Sequence, residues 1–242
     1  MEIQYGEADA LVYDTATHIP ALTEFTVTRL HDLVAGRRSL DLGCGTGRTT
    51  LRLAEAASRI WAVDNSAEML DVFRKKGVPP NVELVHADFR DLPDLVPEPF
   101  EAVYCTLGSL ACCGGLDELK QALKLVAAAS PGALFSYEFY DGDYYRGIVK
   151  EHGDVLPTDL PSGDHIVTHF DLKAGAGQMQ VVCTVESGGT VVGTLSEQVL
   201  LLPLEELTAA LEASGHQVTS STRLGGLFII DGTIAGLNPA GR

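Results

Sequence analysis

No stretch of the sequence approaches the roughly 20 consecutive apolar residues that a membrane-spanning helix needs, so no bilayer span is expected. The first residues, Met1 to Tyr5, lack the basic and apolar regions of a secretory leader, which makes the cytoplasm the expected location. Basic runs are scarce as well. Lys and Arg total 17 against 33 Asp and Glu, a formal net charge of −16. Binding to phosphate backbones needs clustered cations. The short groups Arg37-Arg38 and Arg74-Lys75-Lys76 fall at expected helix ends, where cations favour the helix dipole. Nucleic acid and anionic membranes are therefore not expected partners. The five cysteines (Cys44, Cys105, Cys112, Cys113 and Cys183) form no Cys-x-x-Cys pair, and no His is spaced to complete a zinc signature. Free thiols in a reducing compartment, and no metal, are the expectation.

What remains is ordinary globular material. With 242 residues, 45% hydrophobic and 21% charged, the chain suits one α/β domain carrying a modest insertion. Residues 20–35 have helical periodicity, with Leu22, Phe25, Leu30 and Leu33 near one face and Gly36 as the stop. The following segments alternate: strand 39–42, helix 48–57, strand 59–63, helix from Ser66 to Gly77, strand 82–87, strand 100–105, helix 116–129, strand 133–139. Strands alternating with helices imply right-handed crossovers and a parallel sheet covered on both faces. Residues 140–164 are rich in Tyr, Asp, Gly and Pro, and the β-prone runs 166–172, 179–186 and 191–202 are separated by glycines. They read as an antiparallel insertion. A helix opening at Pro203 and strands 217–223 and 227–230 close the chain, joined around Leu224-Gly225-Gly226 by a connection shorter than expected.

Chemistry concentrates in the first half. Leu40-Asp41-Leu42-Gly43-Cys44-Gly45-Thr46-Gly47 places a glycine-rich turn between a strand and a helix. Glycine lets a ligand approach the backbone, and the helix start behind it offers unpaired N–H groups. The dinucleotide fingerprint G-x-G-x-x-G has its last position occupied here by Arg48, which weighs against a nicotinamide cofactor. Asp64 ends the next strand about 20 residues on, the distance expected of a carboxylate that bonds a ribose. Asp88 ends the third strand, where it would accept from an adenine amine. Three ligand-facing features at consecutive strand ends match where an open α/β sheet binds its ligand.

These residues together resemble the class I S-adenosylmethionine-dependent methyltransferases, strongly over residues 35–140 and weakly over 204–223. The insertion is similar to that of the small-molecule subgroup resembling glycine N-methyltransferases, where it roofs the substrate. The resemblance implies a Rossmann-like seven-stranded, mostly parallel sheet with helices on both faces and an antiparallel β insertion after the fifth strand. The chain would be a single domain: a helical cap at 1–36, a cofactor core at 37–140, an insertion or lid at 141–203, and closing elements at 204–242. It implies S-adenosylmethionine as cofactor. Gly43, Gly45 and Gly47, with Cys44 and Thr46 between them, would line its methionine and ribose portion. Asp41 would shape that loop and help bind the amino-acid moiety. Asp64 would hold the ribose, Asn65 and Met69 would flank the adenine, and Asp88 and Phe89 would meet its edge and face. Thr106, Leu107 and Ser109 would lie near the sulfonium.

A sulfonium methyl needs a nucleophile held in line and water excluded, and a general base is optional. The candidates that could fold over the strand ends are Tyr13 (an aromatic face for the sulfonium), His18 as a base and Tyr140 as a wall. Tyr5 and Tyr144 are candidate substrate contacts, as is Arg146, which would grip a carboxylate. His169, four from His165 in a strand, is another. The expected reaction is methylation at N, O or C of a small metabolite or natural-product intermediate by a monomer or homodimer. The alternatives are same-fold chemistry on the aminobutyrate chain, including cyclisation, an NAD(P)-dependent oxidoreductase, and a non-catalytic cofactor-binding subunit.

Overall fold

A computed structural model of the chain describes residues 7–17, 19–92, 98–173 and 177–236. In chain order the helices are α1 (Glu7–Ala16), α2 (Pro20–Val34), α3 (Thr50–Leu53), α4 (Ala67–Lys76), α5 (Leu116–Ala129), α6 (Gly142–His152) and α7 (Leu204–Glu212). The strands are β1 (Arg38–Leu42), β2 (Arg59–Asp64), β3 (Val82–His86), β4 (Ala102–Cys105), β5 (Leu134–Tyr140), β6 (Val155–Asp159), β7 (His165–Lys173), β8 (Gln178–Ser187), β9 (Thr190–Leu200), β10 (His216–Leu224) and β11 (Leu227–Ile234).

Seven strands form one sheet in the order β10-β11-β5-β4-β1-β2-β3. β1 to β5 run parallel, β11 runs antiparallel to β5, and β10, antiparallel to β11, returns to the direction of the first five. This is the Rossmann-like arrangement expected from the sequence. The side-chain period of two sorts residues onto two faces. Leu40, Leu42, Val63, Val103 and Phe135 join the α5 and α7 core through Leu119, Leu123, Leu207 and Leu211. Ile60, Ala62 and Tyr104 join the other core, built from Leu30 and Val34 of α2, Leu53 of α3, and Leu70 and Phe73 of α4. β1 has β2 on one side and β4 on the other. Strand order reverses there, which opens a crevice outside the carboxyl ends of these strands.

The second sheet is antiparallel, in the order β6-β7-β8-β9. α1 packs on its β8 and β9 strands, with Val12 against Ile166, Val185 and Leu195. α1 also reaches the first sheet's crevice, because Thr46 donates its hydroxyl to Asp14 at 2.5 Å and Lys76 pairs with the same carboxylate.

Some local expectations change. The helix expected over 48–57 shrinks to the single turn α3, flanked by hydrogen-bonded turns. The Thr50 hydroxyl there donates backwards to Asp41. α6 and β6 lie in 140–164, a stretch whose composition hides both. Asp141 caps α6 by accepting the Asp143 N–H at 3.0 Å. β6 is an edge strand, the place where its Pro157 is tolerated. The short connection at the closing hairpin is a two-residue turn, Gly225-Gly226, with Leu224 paired to Leu227 and Gly225 at φ +54°. Ser66 caps α4 as expected, accepting the Met69 N–H at 3.1 Å. Among the described residues no helix is long and apolar enough to cross a membrane.

Candidate functional site

Two cavities flank the crevice. The first, about 560 Å³, is lined by Gly43, Asp64, Asn65, Ala87, Asp88, Phe89, Arg90, Ser109, Cys112, Cys113, Glu118, Gln121 and Ala122. That volume lies within the roughly 300–1,000 Å³ typical of small-molecule sites.

The loop after β1 is shaped by what touches it. A Cβ on Gly43 would run into the Ser109 side chain, and one on Gly47 would lie 2.6 Å from the Phe73 ring. Gly43 sits at φ +71° and Gly47 at φ +81°, so side chains are disfavoured twice over. Asp64 ties the loop to β2. Its carboxylate accepts the Gly45 N–H at 2.7 Å and the Ser66 N–H at 2.9 Å. Burial raises its pKa, and those two backbone donors oppose the rise. Arg48, the residue that breaks the dinucleotide fingerprint, donates to the Thr23 hydroxyl of α2 at 2.7 Å.

Asp41 is placed differently from the expectation of ligand contact. It is fully buried behind the loop, with Thr50 donating to Oδ2 and no hydrogen-bond partner at Oδ1. Burial pushes its carboxyl up to about 7. It sits beneath the loop and ties β1 to α3 through Thr50. Met69 is also buried, at 1% exposure, and is not among the residues lining the first cavity, whereas its expected neighbour Asn65 is.

On the opposite wall Asp88 caps the turn Phe89–Asp91 and accepts from Arg90 Nε and Nη2 at 2.8 Å each. The Arg90 pairing lowers its pKa. The loop after β4 completes the rim. Leu107 holds φ +50°, and its N–H donates at 2.8 Å to Glu138 of β5. Glu138 is buried and pairs with Arg29 of α2 at 2.7 Å, while Thr26 donates to it at 3.1 Å. Thr106 is buried and accepts from the Ser109 hydroxyl through its carbonyl at 3.4 Å.

The second cavity, about 640 Å³, lies between α1, α2, α6 and the small sheet. Tyr13, Tyr140, Tyr144, Tyr145, Phe170, Leu107 and Glu197 are among its walls. Tyr140 lies against Gly108, where a Cβ would come within 2.5 Å of its ring. Tyr13 lines this second cavity, and its ring lies 3.9 Å from the position a Cβ would take on Gly45, in the loop whose Gly43 lines the first cavity. Burial raises its phenol pKa first, with Glu197 and Asp64 adding to the rise from the two sides.

Two expected substrate contacts point elsewhere. Arg146 is exposed on α6 and pairs with Asp143 one turn back at 2.8 Å. His169 is exposed, while its strand neighbours Thr168 and Phe170 line the cavity. A one-residue difference in phase along a strand moves a side chain to the other face. Tyr5 and His18 lie outside the described residues.

Sequence reasoning missed Cys112, Cys113 and Arg90 in the first cavity, all on segments with no periodic signal, and Glu118, in the first turn of the expected helix 116–129. Burial raises both thiols, Cys113 up to about 11, which keeps that sulfur protonated near neutrality. It also missed Glu197. The signal was present: Leu195, Glu197 and Val199 alternate along β9, and both apolar members are buried.

Comparison with known proteins places this geometry. A family model described as a methyltransferase domain matches residues 40–129. A cypemycin N-terminal methyltransferase from Streptomyces sp is 30% identical over 208 residues, covering 85% of this chain and 79% of the relative. A dTDP-3-amino-3,6-dideoxy-alpha-D-glucopyranose N,N-dimethyltransferase from Streptomyces fradiae is 35% identical over 189 residues, covering 74% and 69%. The solved structure of the CcbJ methyltransferase from Streptomyces caelestis has the same fold, with a TM-score of 0.80 at 22% identity, covering 96% of this chain and 100% of the other.

Proposed function

Because the chain belongs to the S-adenosylmethionine-dependent methyltransferase family, we propose that its first cavity holds the cofactor and its second holds a small-molecule acceptor. When bound, the cofactor supplies an electrophilic methyl on sulfur. The protein's own work is to bind, orient and exclude water. The backbone of Gly43 to Gly47 and Ser109 would face the methionine and ribose portion, and Asp64 the ribose hydroxyls. Asn65, Asp88 and Phe89 would face the adenine. Thr106 and Leu107 would position the rim from which the methyl departs, Leu107 through its bond to Glu138. Tyr13, Tyr140 and Tyr144 would wall the acceptor.

The observation that carries this reading is the position of Tyr13. The ring of Tyr13 closes on the glycine loop of one cavity while lining the other. A group in the second cavity would therefore meet a sulfonium in the first beside Tyr13, whose aromatic face attracts cations. The acceptor belongs to a metabolite or natural-product intermediate. Both named relatives support nitrogen, one being named for an N-terminus and the other for an amino sugar. The acidic net charge supports a chain that works without nucleic acid or an anionic membrane.

Product analysis tests the reading. Incubation of the purified chain with S-adenosylmethionine and pools of small amines, alcohols and carbon acids is expected to yield S-adenosylhomocysteine and a methylated acceptor. Methylthioadenosine as the sole product would indicate aminobutyrate chemistry. A thermal shift with NADH and none with S-adenosylhomocysteine would indicate a nicotinamide enzyme.

A further inference from the structure

The second cavity has mostly apolar and aromatic walls, and one carboxylate among its described lining residues, Glu197. Its placement is built into the strand. Glu197 lies between Leu195 and Val199 on the same face of β9, and both neighbours are 3% exposed or less. Glu197 thus places a carboxylate in a row of buried apolar side chains. Four tyrosines, at 13, 140, 144 and 145, share the cavity with it. Its charge acts on Tyr13, Tyr140 and Tyr145, and on Cys112 at the border of the first cavity. Tyr140 and Tyr144 each meet Tyr145 edge-to-face, with ring centroids 5.7 and 5.4 Å apart. Aromatic faces attract cations, and more strongly when water is excluded.

We infer that Glu197 is the specificity-determining residue of the acceptor pocket and that it selects an acceptor carrying a protonated amine on an apolar body. A carboxylate beside tyrosine faces compensates an ammonium by charge-assisted hydrogen bonding and by ring electrostatics together. An alcohol of the same shape gains neither full charge term. A carboxylate-bearing acceptor would be repelled, which is the reverse of the gripping role expected of Arg146. The inference rests on the assignment of the two cavities above, and it adds the chemical class of acceptor and the residue that reads it.

The test is calorimetry on the full chain saturated with S-adenosylhomocysteine, titrated at neutral pH with benzylamine and, separately, with benzyl alcohol. The parent chain is expected to bind the amine about tenfold or more tightly than the alcohol, the factor for a hydrogen bond to a charged group. E197Q is expected to bring the two within about twofold while its affinity for S-adenosylhomocysteine is kept. E197D, which keeps the charge, is expected to retain part of the preference, a result that a purely structural role would not give. Equal binding of the two probes by the parent, no binding of the amine, or a preference that survives in E197Q would each overturn the assignment of Glu197. Failure of the parent to bind S-adenosylhomocysteine would instead overturn the cofactor reading, and this inference with it.

Discussion

Replacing Asp41 with Asn is expected to stabilise the cofactor-free protein increasingly as pH rises. Asp41 has no exposed surface, one oxygen bonded to Thr50 and the other without a hydrogen-bond partner. Its folded pKa of about 7 stands above the ordinary 3.8 because burial outweighs the Thr50 hydrogen bond that opposes it. A carboxyl with a raised folded pKa costs the fold nothing below about pH 4. Between the two values the unfolded chain has released its proton and the folded chain has kept it, so stability falls by about 1.36 kcal/mol per pH unit. Above about pH 7 both states are ionised and the cost stays level, at about 4 kcal/mol. Asn cannot ionise, so Asp41→Asn removes this slope. The assay is urea unfolding of parent and variant at pH 5 and pH 8. The variant's stability relative to the parent is expected to improve by about 2–3 kcal/mol between the two conditions. Subtracting across pH cancels any constant cost of the substitution and the titration of all other groups. A relative stability that changes by less than about 0.5 kcal/mol would refute the argument, because Asp41 would then titrate like an exposed carboxyl.

Glu138→Ala is expected to destabilise the fold by about 1–3 kcal/mol, since Arg29 loses its buried partner and keeps the longer pairing with Asp231 at 3.4 Å. It also removes the acceptor of the Leu107 N–H, so weaker S-adenosylhomocysteine binding should accompany the lower urea midpoint. Gly43→Ala is expected to cost about 1–3 kcal/mol, from the left-handed backbone and the collision with Ser109. The double variant with Ser109→Gly should recover part of that loss in thermal unfolding, and no recovery would show that contact to be unimportant.

The parallel core was legible because its signals are local. Apolar strands ending in Gly43, Asp64 and Asp88 fix where the loops emerge, and the reversal of strand order at β1 places those loops together. The insertion was harder to read. α6 and β6 draw on Gly and Pro, residues whose propensities point to loops, and the Asp141 cap and the pairing with β7 override them. His169 shows the limit of reading a strand without its phase. Residue type and spacing were right for a pocket, but the buried face belongs to Ile166, Thr168 and Phe170. Asp41 shows another limit. The sequence suggested that it shapes the loop, but not that it lies fully buried and bonded to Thr50. Glu197 was readable from its alternation with Leu195 and Val199, although charge alone made it look like a surface residue.

Isothermal calorimetry of S-adenosylhomocysteine with the parent chain and with Asp64→Ala addresses the cofactor cradle most directly. Saturable binding to the parent is expected, weakened in the variant by about 1.5–3 kcal/mol, roughly 10- to 150-fold in Kd. No heat with the parent, or equal affinity in the variant, would contradict the cradle formed by the glycine loop and Asp64.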